Sequence, residues 1–224
     1  MTWIKICGTT SAEDATLAVE AGANAVGLIF APSPRRVTAE TAGDIVRSLP
    51  AAVEKVGVFV NETPERVLEI AVHCGLTAVQ LHGDEDAAYI RRLCGLAAEQ
   101  SLALRVFKAI AVDAQFQPRS LEFLQQALLD GLLLDTAPAS GAAHRGGTGA
   151  TFDWEHAAEV LKSVPDSIRI VAGGGLSPAN VGRAIAVLEP WGVDVCSGVE
   201  REPGRKDAAK VKAFVAAVRT AANH

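Results

Sequence analysis

Eight times along this chain a short aliphatic run gives way to a stretch of helical period, and no other pattern restricts the possible folds as much. The strand-like runs lie at residues 4–7, 25–30, 55–60, 78–81, 104–109, 131–134, 168–172 and 192–195. Segments of helical period predict helices near 11–21, 38–49, 64–74, 85–94, 121–129, 153–161 and 207–222, and one more opens at Ser177. Strands that alternate with helices predict parallel pairing, since each crossover must return the chain before the next strand begins. Eight units in 224 residues leave about 28 residues apiece, which suits a closed (β/α)8 TIM barrel at the compact end of its size range. An open doubly wound sheet is the alternative, but it usually has fewer strands. No linker, charge block or low-complexity tract breaks the series, so residues 1–224 read as one domain.

Composition narrows the function classes. Hydrophobic residues make up 49% of the chain and aromatic ones only 5%, so Ala, Val, Leu and Ile must build the core, as parallel strands buried on both faces require. A net charge of −5 with no long basic run argues against a nucleic-acid surface. Apolar runs such as 25–31 are far too short to span a bilayer, so no membrane partner is expected. Cys7, Cys74, Cys94 and Cys196 form no C-x-x-C pair, and no signal peptide precedes the first strand. A reducing cytoplasm is the expected setting.

Two glycine-rich turns stand out late in the chain. Residues 168–172 stop at Gly173, Gly174 and Gly175, where Ser177 suits a helix N-cap and Pro178 the first helical position. Residues 192–195 stop at Cys196-Ser197-Gly198-Val199-Glu200. Such turns can serve only to reverse the chain. Side by side after the seventh and eighth strands of a barrel, they predict a cradle of backbone N–H groups for one phosphate.

In such a barrel the polar residues at strand ends carry the chemistry. Here they are Lys5, Cys7, Asn61, His82, Lys108 and Asp135. Lys5 and Cys7 are two apart, so they face the same side, and the ammonium would favour the thiolate. A cysteine in a strand can equally be a small buried hydrophobe. Asp135 ends the run Leu132-Leu133-Leu134, where desolvation would help a carboxyl group keep a proton for donation. It can instead cap its loop. His82 has no partner at metal-ligand spacing, so no metal is expected and the residue by itself reads as structural. Arg35 and Arg36, in a loop stiffened by Pro32 and Pro34, suit a carboxylate. An acid and a base without a cofactor motif point to proton-transfer isomerisation of a small phosphorylated substrate.

The motifs Lys5-Ile6-Cys7-Gly8, Val56-Gly57-Val58-Phe59-Val60-Asn61, Val79-Gln80-Leu81-His82-Gly83, Leu133-Leu134-Asp135-Thr136, Gly146-Gly147-Thr148-Gly149, Gly174-Gly175-Leu176 and Asp194-Val195-Cys196-Ser197-Gly198-Val199-Glu200 run in order from end to end. Together they resemble the phosphoribosylanthranilate isomerases of tryptophan biosynthesis. The resemblance implies a cofactor-free Amadori rearrangement with Asp135 as general acid and Cys7 as general base. It implies that Arg36 holds the anthranilate carboxylate, with Arg35 beside it offering the same chemistry. Gly147, Gly174, Gly175, Ser197 and Gly198 would line the phosphate end, and Lys5 and His82 would belong to the substrate-binding set. The family includes more than one oligomeric state, so a monomer or a homodimer is expected. The loop 137–145 follows no motif and is a candidate lid. A histidine-pathway isomerase is the nearest alternative enzyme, but it would carry an aspartate where Cys7 stands. A phosphosugar-binding barrel without catalysis would need neither Cys7 nor Asp135.

Overall fold

The computed structural model describes residues 1–117, 121, 124, 128–137 and 151–222. Its strands are β1 (Trp3–Ile6), β2 (Ala25–Ile29), β3 (Glu54–Phe59), β4 (Ala78–Leu81), β5 (Arg105–Val112), β6 (Gly131–Thr136), β7 (Arg169–Ala172) and β8 (Gly192–Val195). They pair in parallel in chain order, and β8 returns to β1 with Ile4 opposite Val193 and Ile6 opposite Val195. Closure leaves no edge strand exposed to water. The helices are α1 (Ala12–Glu20), α2 (Ala39–Arg47), α3 (Pro64–Cys74), α4 (Ala87–Glu99), α5 (Trp154–Leu161), α6 (Val181–Leu188) and α7 (Ala208–Ala221). The helix expected over 121–129 and the loop 137–145 fall largely outside the described residues.

Local sequence explains where most helices begin. Ser11, Thr38, Thr63, Asp86, Asp153 and Asp207 each accept a backbone N–H of the first turn of the helix that follows, satisfying donors that have no intrahelical partner. The helix expected to open at Ser177 is a correction: α6 starts at Val181, and residues 178–180 form a turn. There the roles reverse, because the Asn180 side chain accepts the Ser177 N–H at 2.8 Å and donates to the Gly175 carbonyl at 3.0 Å. The last element with no counterpart in the strand pattern is the hairpin β9 (Glu200–Glu202) and β10 (Arg205–Lys206). Pro203-Gly204 turns it, with Gly204 at φ +81°.

Two apolar layers hold the barrel. Between strands and helices lies the larger core, from Ile4, Leu28 and Leu81 to Leu132, Val193 and Phe214. Inside the barrel a smaller cluster, Ala25, Val56, Ala78, Phe107, Ala109, Leu133 and Val171, fills the end nearest the strands' amino termini. Trp3 closes that end by stacking on Trp191 at 5.0 Å and on Phe107 at 6.0 Å. The packed end leaves the opposite mouth as the place where polar side chains can gather. Among the described residues no helix is long and apolar enough to cross a membrane.

Candidate active site

At the carboxyl ends of the strands the barrel opens into a cavity of about 300 Å³. Cys7 enters it after β1, Arg35 from the loop after β2, Gln80 and His82 from β4 and its end, and Asp135 from β6. Gly174, Gly175, Leu176, Asp194, Cys196 and Ser197 complete the wall beyond β7 and β8.

The register of β1 against β8 builds one side. It sets Lys5 opposite Asp194, and Nζ lies 2.9 Å from Oδ1. Lys5 does not line the cavity: its side chain is 1% exposed beneath the floor. A second N–H crosses the barrel to Gln80 Oε1 at 2.8 Å. Burial draws the Lys5 pKa down, but the negative charges of Asp194 and Cys7 outweigh it and hold the value above the usual lysine range. Burial pushes the Asp194 carboxyl up to about 7 against the pull of Lys5. Two residues further along the same ladder Cys7 and Cys196 stand side by side, the Cys7 N–H bonding the Val195 carbonyl at 2.8 Å. The adjacent Cys196 thiol favours the Cys7 thiolate and draws Cys7 well below the ordinary thiol range; burial opposes this, and Lys5 and Lys206 reinforce it. The same contact raises Cys196. Gly27 makes room on β2, since a Cβ there would come within 2.7 Å of Cys7 Sγ and 3.0 Å of Lys5 Cε.

Asp135 builds the other side. Its Oδ1 accepts the Thr136 N–H at 2.8 Å, and Oδ2 lies 3.1 Å from His82 Nε2. His82 Nδ1 in turn lies 2.8 Å from Gln80 Nε2. Lys108, a strand-end candidate, turns away to structural work: it binds Glu85 at 3.0 Å and the Gly83 carbonyl at 2.7 Å.

The two arginines separate. Arg35 forms a bidentate pair with Glu200 at 2.7–3.0 Å, and Lys206 meets the same carboxylate at 3.0 Å. Arg36 is exposed on the same loop, forms an isolated bridge with Ile29, and does not line the cavity. Gly174 and Gly175 have φ near +68° and +66°, and a Cβ on Gly174 would come within 2.5 Å of the Thr136 nitrogen. A Cβ on Gly198 would overlap the Leu176 carbonyl, so the turns after β7 and β8 touch through a residue only glycine can provide. Gly147 lies outside the described residues. Among the described residues no group of three or more His, Cys, Asp or Glu is arranged to hold a metal.

Gln80, Asp194 and Cys196 are the residues that strand-end reasoning passed over as site members. Gln80 sits two before His82 and so faces the same way, which was a usable signal. Asp194 and Cys196 are found only through the closing register.

Fold and site define a (β/α)8-barrel enzyme with a thiol and a carboxyl group facing one cavity, the layout of an acid–base catalyst. The family model described as N-(5'phosphoribosyl)anthranilate (PRA) isomerase matches residues 4–217. The N-(5'-phosphoribosyl)anthranilate isomerase of Geobacter sp. (strain M21) is 47% identical over 217 residues, covering 96% of this chain and 97% of its own. A crystal structure of phosphoribosyl anthranilate isomerase from Thermotoga maritima superposes with a TM-score of 0.81 at 40% identity, covering 98% of this chain and all of its own. Another solved isomerase, in complex with reduced 1-(o-carboxyphenylamino)-1-deoxyribulose 5-phosphate, gives a TM-score of 0.77 at 39% identity with the same coverage. The chain belongs to the N-(5'-phosphoribosyl)anthranilate isomerase family, and is thus an aldose–ketose isomerase of tryptophan biosynthesis.

Proposed function

We propose that this chain, as one catalytic domain, rearranges N-(5-phosphoribosyl)anthranilate to 1-(2-carboxyphenylamino)-1-deoxyribulose 5-phosphate, with Asp135 as acid and Cys7 as base. The observation that carries the assignment is that the Cys7 thiol, with the buried Lys5 ammonium beneath it, and the Asp135 carboxyl group face the same cavity. Asp135 protonates the ribose ring oxygen, the C1–O bond breaks, and an iminium forms between C1 and the anilino nitrogen. The Cys7 thiolate takes the C2 proton to give the enolamine. A proton delivered to C1 and the loss of the O2 proton complete the ketone, so cysteine and aspartate end as they began. The reaction needs no electron acceptor, because C1 is reduced as C2 is oxidised within one molecule.

The two anionic groups of the substrate call for two separate ends of the site. The turns carrying Gly174, Gly175, Ser197 and Gly198, with Gly147, would receive the phosphate, their N–H groups facing an anion without interposed side chains. Arg36 would take the anthranilate carboxylate, since Glu200 already engages Arg35. A reduced product analogue bound to a 39% identical relative supports this choice of ligand. Lys5 would act through Cys7 rather than on the substrate, being buried with acceptors around it.

The test follows the fluorescence of phosphoribosylanthranilate with purified protein in EDTA, comparing wild type with Asp135→Asn. Fast decay with wild type, nearly abolished in a variant that keeps its circular dichroism, is expected. Decay no faster than the spontaneous rate with wild type would overturn the proposal, and an active Asp135→Asn would remove the acid from it.

A further inference from the structure

A path of polar contacts crosses the barrel along the wall of the cavity, from the cysteine side to the aspartate side. Lys5 Nζ reaches Gln80 Oε1 at 2.8 Å, Gln80 Nε2 reaches His82 Nδ1 at 2.8 Å, and His82 Nε2 reaches Asp135 Oδ2 at 3.1 Å. The direction of every bond in it follows from Lys5. An ammonium has three protons and no lone pair, so whatever faces it must accept. The oxygen of the Gln80 amide therefore turns to Lys5 and its NH2 group to His82. An NH2 group only donates, so His82 Nδ1 must accept, and the ring proton rides on Nε2, the nitrogen that lies 3.1 Å from Asp135 Oδ2. A flipped amide would set two donors against each other at 2.8 Å at a side chain only 2% exposed.

We infer that Gln80 is a positioning residue, whose side-chain amide fixes His82 as the neutral Nε2–H tautomer that holds the Asp135 carboxyl group. Neutrality matters to the chemistry. A proton on both ring nitrogens would place a full positive charge 3.1 Å from Asp135, stabilising the carboxylate and working against a group that must deliver a proton. With Nδ1 closed by the amide, His82 offers Asp135 a dipolar hydrogen bond in place of a charge. Oδ1 is held by the Thr136 N–H, so both oxygens are oriented while each keeps a lone pair for the transferable proton. The kinetic part of this inference rests on Asp135 being the acid; the tautomer does not.

The experiment records the ¹⁵N imidazole resonances of His82 in wild type, Gln80→Met and Gln80→Glu, assigned by difference against His82→Gln, alongside kcat and KM. Wild type is expected to show a protonated Nε2 and a bare Nδ1. Gln80→Met keeps the volume, removes both hydrogen bonds and is expected to release the tautomer. With it kcat should fall about 10–100-fold, the range typical of losing the partner that orients a site residue, while KM stays close to wild type. Gln80→Glu retains an acceptor for Lys5 but offers His82 a second acceptor, so the proton should appear on Nδ1. A wild-type ring protonated at Nδ1 would overturn the inference even if neither variant folds. So would a kcat that stays at the wild-type level after the tautomer is released. If Asp135→Asn proves fully active while the wild-type ring is protonated at Nε2, the acid assignment fails and the tautomer assignment stands.

Discussion

At the scale of single residues, the proposed chemistry depends on what surrounds one sulfur atom. The Cys7 thiol is held low first by the neighbouring thiol of Cys196 and then by two ammonium groups. Its folded value lies below the ordinary one, so the thiolate persists as pH falls past the usual thiol range and is lost only at the lowered value. Alkylation of Cys7 by iodoacetamide, followed by peptide mapping, should therefore continue at pH values where Cys74 and Cys94 no longer react, burial having pushed those two upward. Cys196→Ala should move the Cys7 midpoint up; an unchanged midpoint would deny Cys196 that influence. Cys7→Ser should lower kcat by about 100-fold or more, as loss of a general base commonly does, with little change in KM. Cys7 and Asp135 were legible as polar residues ending apolar strands, and the shared direction of Lys5 and Cys7 followed from their spacing. The company they keep was not, because Asp194 and Cys196 stand nearly the whole chain away and meet β1 only through the register of a closed sheet.

Among elements, the strands and most helices follow from periodicity and caps, and the exceptions have physical causes. Ser177 carries the residue type of a cap, but Asn180, with a longer reach, takes over the hydrogen bonds and delays α6 to Val181. The β9–β10 hairpin is too short for a periodic signal, and only Pro203-Gly204 marked it. It matters because its Glu200 clamps the loop after β2 through Arg35, while its Lys206 pairs with Glu200 and donates to the Cys7 carbonyl at 2.5 Å. The two neighbouring arginines should then respond differently. Arg36→Met is expected to raise KM about tenfold or more, the loss of one charge-assisted contact being worth about 1.5–3 kcal/mol. Arg35→Met should leave KM near wild type and lower stability to urea by about 2–3 kcal/mol, since Glu200 retains Lys206 but loses its bidentate partner. The opposite pattern in steady-state kinetics and urea melts would exchange their roles.

The whole molecule divides by end. Trp3, Trp191 and Phe107 seal one end of the barrel, while the polar groups occupy the other, the usual separation of stability from activity in this fold. Trp3→Ala should cost about 3 kcal/mol in a denaturant titration and leave kcat of the folded fraction near wild type; a large kcat loss would show that the two ends are coupled. Barrel closure bears also on how the chain comes to be active as it is synthesised. Lys5 and Cys7 emerge from the ribosome first, and Asp194, Cys196 and Lys206 come after most of the remaining sequence, with Lys5 and Asp194 separated by 189 positions. Until β8 arrives, the ammonium of Lys5 lacks its carboxylate, and burying an unpaired charge is too unfavourable for the first strands to settle early around it. The lowered thiol is therefore assembled in the same step that shuts the cylinder, so nascent or truncated chains carry Cys7 as an ordinary cysteine until the finished pocket surrounds it.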